Sequence, residues 1–222
     1  MASSFDSLFN PQPPKPPSFL EIWAKLAPLP AASTVPTIYT PPRRTVFISH
    51  SHLHESESKA FLREFGSVFI ERHIGLSNKN DRIKSNDPAY VMSRIRQELI
   101  QSKSTVTILL VGSCTHSRRY VDWEIKASLQ QGEGRAPNGL LAIQLPSSPN
   151  GALLPPRMEL NWRRNDAEGY ARYYQYPRSQ TELRRWIEEA FEARRTITDR
   201  IKNPHETMFD RNRECRICGI TH

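Results

Sequence analysis

The chain has 222 residues, with 31 Lys+Arg against 23 Asp+Glu and a formal net charge of +8, which leaves room for one α/β domain with extensions rather than two full domains. The positive balance favours polyanionic or phosphorylated partners. However, most arginines stand beside acidic residues, and no helix-turn-helix, zinc-finger or RNA-binding aromatic motif accompanies them, so nucleic acid is not an expected partner. The longest apolar run is far short of the roughly 20 residues of a membrane-spanning helix, and the start of the chain lacks the basic-then-apolar order of a secretory signal. This predicts a cytoplasmic protein with no membrane partner. Three cysteines, Cys114, Cys215 and Cys218, are too few and too unevenly placed for a disulfide framework, in keeping with a reducing compartment.

Residues 1–42 carry ten prolines and form an arm in which a continuous helix or central strand is excluded. Within it, residues 18–26 have a Ser cap and apolar positions at helical period, a short amphipathic helix that packs on its own domain or on a neighbouring subunit. The ordered domain is predicted over 43–196. Its first strand runs over 44–49 and stops at the polar string His50-Ser-His-Leu-His54. A helix follows over 57–72, then a short strand near 73–76, a long polar loop over 77–88, and a helix that Pro88 opens and that runs to Ser102. The β-branched run over 104–111 reads as a strand covered on both faces, as in parallel sheets. A helix over 117–131, a turn-rich stretch and a strand over 140–145 come next. A proline-rich loop, an aromatic segment over 170–176 and a last helix over 181–197 complete the domain, and 197–222 is a tail. Alternating strands and helices imply right-handed crossovers and a parallel sheet.

The most informative stretch is Ser117-Arg-Arg-Tyr120-Val-Asp-Trp123-Glu124-Ile125. Residues four apart share a helix face, so Tyr120 offers a ring and Glu124 a carboxylate to the same side. The loop before them leaves the carboxyl end of a buried strand, where ligands bind in open α/β sheets. A carboxylate there accepts from sugar hydroxyls or opposes a developing positive charge, which suits chemistry at a nucleotide ribose. The plain alternative is a Glu stabilised near the positive end of a helix dipole.

The succession Val46-Phe-Ile-Ser-His50, Tyr90-Val-Met-Ser-Arg-Ile-Arg96, Thr105 to Gly112, Thr115, Ser117 and Tyr120 to Ile125 resembles the TIR-like domain of the Thoeris antiphage ThsB type. The resemblance continues through Leu140 to Pro146 and, more loosely, Tyr173 to Pro177, covering roughly residues 44–196. It implies a flavodoxin-like doubly wound sheet and cleavage of NAD+, as substrate rather than cofactor, at the nicotinamide-ribose bond. The implied product is a cyclic or conjugated ADP-ribose signal that activates a separate effector protein. Glu124 falls at the catalytic glutamate. Ser49, His50 and Ser51 would contact the nicotinamide and ribose end, and Tyr120 and Trp123 the substrate. The loop near Ser85, Asp87 and Tyr90 would act as a lid, and Arg118 or Arg119 would meet the pyrophosphate. A phage-derived activator and assembly into homo-oligomers are the partners expected with this reading. The competing reading is a non-catalytic scaffold that acts by self-assembly.

Two metal patterns are incomplete. His50, His52 and His54, with Glu55, depart from metallo-hydrolase spacing. The pair Cys215 and Cys218 with His222 lacks the second half of a tetrahedral site, and Cys114 is distant in sequence. No metal is expected, and the tail is read as a frayed end or as a zinc hook completed by another chain.

Overall fold

The computed structural model describes residues 42–72, 87–101, 103–132, 136–148, 152–162, 169–206 and 208–221. The arm helix over 18–26, the strand near 73–76, Ser85 and His222 lie outside these residues. Five strands make one sheet: β1 (Thr45–His50), β2 (Ile70–Arg72), β3 (Val106–Val111), β4 (Gly139–Gln144) and β5 (Arg172–Tyr174). All four pairings are parallel, and the strand order is β2-β1-β3-β4-β5. This is the doubly wound order of flavodoxin-like sheets, in which the chain reverses direction across the sheet between β1 and β3.

The helices are α1 (Glu55–Phe65), α2 (Pro88–Gln101), α3 (Arg119–Ser128), α4 (Pro156–Asn161) and α5 (Gln180–Thr196). Strand alternation sorts the core. Val46, Ile48, Ile108, Leu110, Leu141 and Ile143 join Phe61 and Phe65 of α1 and Leu183, Trp186 and Ile187 of α5 in one apolar cluster. The alternate residues Leu109, Val111, Leu140 and Ala142 pack with Val121 and Ile125 of α3 and Met158 of α4. Phe47 meets Val91, Ile95 and Leu99 of α2 and Trp123 of α3. Both faces of β3 are therefore dry, which explains its uninterrupted run of buried residues.

Three elements differ from the sequence expectation. α1 stops at Phe65, where Gly66 follows, because Val68 and Phe69 must turn inward to reach β2. β2 accordingly falls at Ile70–Arg72, within the residues expected to be helical. The aromatic segment supplies the edge strand β5, whose Tyr174 stacks flat on Trp186 at 4.1 Å. The tail is not frayed. Its residues 198–221 fold back onto α3 and α4, with Phe209 and Cys215 buried.

No described helix is long and apolar enough to cross a membrane.

Candidate active site

Ser49 closes the buried run of β1 on the face that looks toward α2 and α3, two residues beyond Phe47. Its hydroxyl donates to Oε2 of Glu124 at 2.6 Å, in the second turn of α3. The pair thus spans the C-terminal end of β1 and the helix that follows β3, flanking the crevice between the two strands where the winding reverses. Both residues are buried, Ser49 at 1% and Glu124 at 8% exposure. Burial pushes the Glu124 carboxyl up to about 7, and the Ser49 hydrogen bond opposes this only in part. A carboxyl group so placed is divided between its neutral acid and its proton-accepting anion near neutral pH.

The remaining predicted contacts fall in three groups. His50 and Ser51 follow Ser49 at the strand end, with Ser51 buried and its side chain capping the short 3-10 turn His52–His54. Tyr120 stands one turn before Glu124, with its ring edge-on to Trp123 at 5.3 Å. Arg119 lies over both rings and donates to the Tyr120 hydroxyl at 3.3 Å. Tyr90 projects from the first turn of α2 and is half exposed, next to Asp87 just before that helix.

Trp123 does not have the exposed ring expected of a substrate contact. It is fully buried, and its indole N–H donates to the Phe209 carbonyl at 2.6 Å. Arg118, expected at a pyrophosphate, lies within electrostatic reach of Cys114 and Cys215 instead. The histidine string does not gather ligands. His54 pairs with Glu57 and packs against Gly112, while the His50 and His52 rings stand 6.3 Å apart.

Sequence reasoning gave Asp122 no role, yet it ties the site together. Fully buried, it accepts from Arg157 Nε of α4 at 2.9 Å and from the Phe209 amide at 3.0 Å. Arg157 continues to Asn203 Oδ1 and the Pro204 carbonyl. At the start of α3, Arg118 supplies no side-chain cap, and Asn212 of the tail accepts from the Arg119 amide at 3.0 Å in its place. An aspartate one residue ahead of a buried Trp was the available signal, but its arginine partner lies 35 residues further on. A cavity of about 400 Å³, lined by His116, Ser117, Leu154, Trp162, Tyr173 and Arg213 among others, opens beyond β3 and β4 on the tail side, and Glu124 is not part of its wall.

No curated protein matches the chain. The family model described as the TIR-like domain of Thoeris protein ThsB matches residues 47–150, from β1 past β4, and so takes in both Ser49 and Glu124. With the flavodoxin-like sheet beneath it, the matched segment is a TIR-like domain of the Thoeris ThsB type.

Proposed function

We propose that the protein cleaves NAD+ at the nicotinamide-ribose bond and forms an ADP-ribose-derived signal, cyclic or conjugated, that activates a separate effector. The observation that carries this reading is the Ser49–Glu124 pair at the reversal point of the sheet. In NAD+ the ribose C1′ is bonded to a pyridinium nitrogen. As that bond breaks, its electron pair leaves with neutral nicotinamide, and C1′ becomes oxocarbenium-like. Ionised Glu124 opposes the new positive charge in a water-poor site, where an electrostatic contact is strongest. No general acid is needed, because the leaving group departs uncharged. The nucleophile that then bonds to C1′ loses its proton, and Glu124 is the base at hand to take it. Tyr120 gives the pocket an aromatic face, Ser49 holds the carboxylate in register, and His50, Ser51, Ser85 and Tyr90 complete the substrate contacts. Arg119 would answer the pyrophosphate.

The near-complete burial of Glu124 favours one second reading, a scaffold that signals by self-assembly without turnover. Product chromatography with mass detection separates the two. Wild type and Glu124→Gln are held with NAD+, alone and with extract of phage-infected cells. Nicotinamide release by wild type alone is the expected result, and the mass of the ADP-ribose product distinguishes hydrolysis, cyclisation and conjugation. Release by folded Glu124→Gln would overturn the mechanism, and silence of folded wild type in every condition would leave the scaffold.

A further inference from the structure

The fold brings Cys114 to two cysteines, Cys215 and Cys218, that lie about a hundred positions further along the chain. The thiol sulfurs of Cys114, Cys215 and Cys218 all lie within 4.8 Å of one another. Cys114 Sγ is 2.9 Å from Cys215 Sγ and 3.5 Å from Cys218 Sγ. We propose that these three cysteines bind one thiophilic divalent cation, zinc by preference, which clamps the tail to the β3–α3 loop.

Three independent features support a metal rather than a chance meeting of thiols. The first is distance: in a tetrahedral site with bonds of about 2.3 Å, ligand sulfurs stand about 3.8 Å apart, so a small outward movement of Cys215 admits the ion. The second is the local backbone. Cys215-Arg-Ile-Cys218-Gly219 forms a tight turn in which the amides of Ile217 and Cys218 both point at Cys215 Sγ. The Gly219 amide returns to the Cys215 carbonyl at 2.7 Å, with Gly219 at φ +70, which favours glycine. The Cys215 amide bonds to the Ile220 carbonyl, and Glu214 bridges Thr221, so the turn closes as a small hairpin. The third is charge. Three thiolates and a divalent ion sum to −1, and beside them Arg118 carries a buried guanidinium nitrogen, Nη1, that has no hydrogen-bond partner among the described residues. The fourth corner falls to solvent.

The clamp has a defined place in the molecule. Cys114 begins the loop that leads into α3, and the Arg213 amide bonds the Ser117 carbonyl at 2.8 Å between the cysteines and that helix. The ion would thus fix the segment that caps α3 and receives the Trp123 indole.

The test uses the full chain, purified reduced and without chelator. Elemental analysis is expected to find about one zinc per chain, with less than about a tenth of that in Cys215→Ser and in Cys218→Ser. Cys218 is exposed, so the second variant keeps the test valid should the first not fold. Cobalt(II) added to metal-stripped wild type is expected to give thiolate-to-cobalt charge-transfer absorption that both variants lack. Three outcomes would each overturn the proposal: wild type that takes up neither metal, full metal content in folded Cys218→Ser, or an intact mass lighter by two hydrogens in the presence of reductant, which would mean a Cys114–Cys215 disulfide.

Discussion

At Glu124 the demands of the proposed catalysis and of stability oppose each other. The carboxyl ionises near pH 7 in the folded chain and near 4.5 in the unfolded one, so the folded state binds the extra proton between those values. Stability therefore falls as pH rises from about 4.5 to 7, and the full penalty, on the order of 3 kcal/mol at most, is present above pH 7. Glu124→Gln cannot ionise. Denaturant titration should find it more stable than wild type at pH 8, with the advantage shrinking toward pH 5, while nicotinamide release is lost. Ser49→Ala removes the one contact among the described residues that favours the anion. The acid limb of its rate profile against pH should move upward, with kcat preserved better at pH 8.5 than at pH 6.5. The residue type and spacing at Glu124 were readable from the chain, because a helical period places Tyr120 and Glu124 on one face. Its near-burial was not, since that depends on α2, α4 and the tail closing around α3.

The element most constrained by its surroundings is α3. Seven of its ten residues are buried, which an amphipathic period does not anticipate for a helix beside a sheet. The Asp122–Arg157 pair explains how a carboxylate tolerates that depth. Asp122→Asn would leave the Arg157 charge without its counterion and cost about 3–5 kcal/mol in urea unfolding. Asp122→Leu with Arg157→Leu should cost clearly less than the two single changes added together. Sequence reasoning read Asp122 as part of a motif and no more, because its partner is on another helix and its second contact is a tail amide. Strand periods were easier: β1, β3 and β4 are continuous apolar runs, whereas β2 and β5 have three residues each and too little pattern to separate from their flanks. Packing between elements also fixes Gly139 at the start of β4. A Cβ there would run into the Ala190 carbonyl of α5, a backbone atom that cannot yield, so Gly139→Ala should lower stability by about 1–3 kcal/mol in the same assay.

In the described residues as a whole, the family match ends at residue 150 while the groups that hold α3 in place continue to Cys218. Arg157, Asn203, Phe209, Asn212 and Arg213 all act on that helix or its loop from beyond the matched segment. The sheet order was legible because alternating strands and helices permit few right-handed solutions. The docking of the tail was not, because its contacts are single hydrogen bonds and sulfur approaches that leave no periodic trace. Cys114 illustrates the limit: its distance along the chain argued against a metal site, and only the return of the tail makes it a neighbour of Cys215.

The parallel sheet also sets the order in which the site can be assembled. β1 and β3 pair Val46 with Val106 and Ser49 with Leu109 in parallel, so no hairpin can bring them together and the chain between them must cross over. Ser49 meets Glu124 across 75 residues of chain. Loop closure over such a span comes late in folding. The complete pair therefore exists only in a molecule whose central strands β1 and β3 are paired.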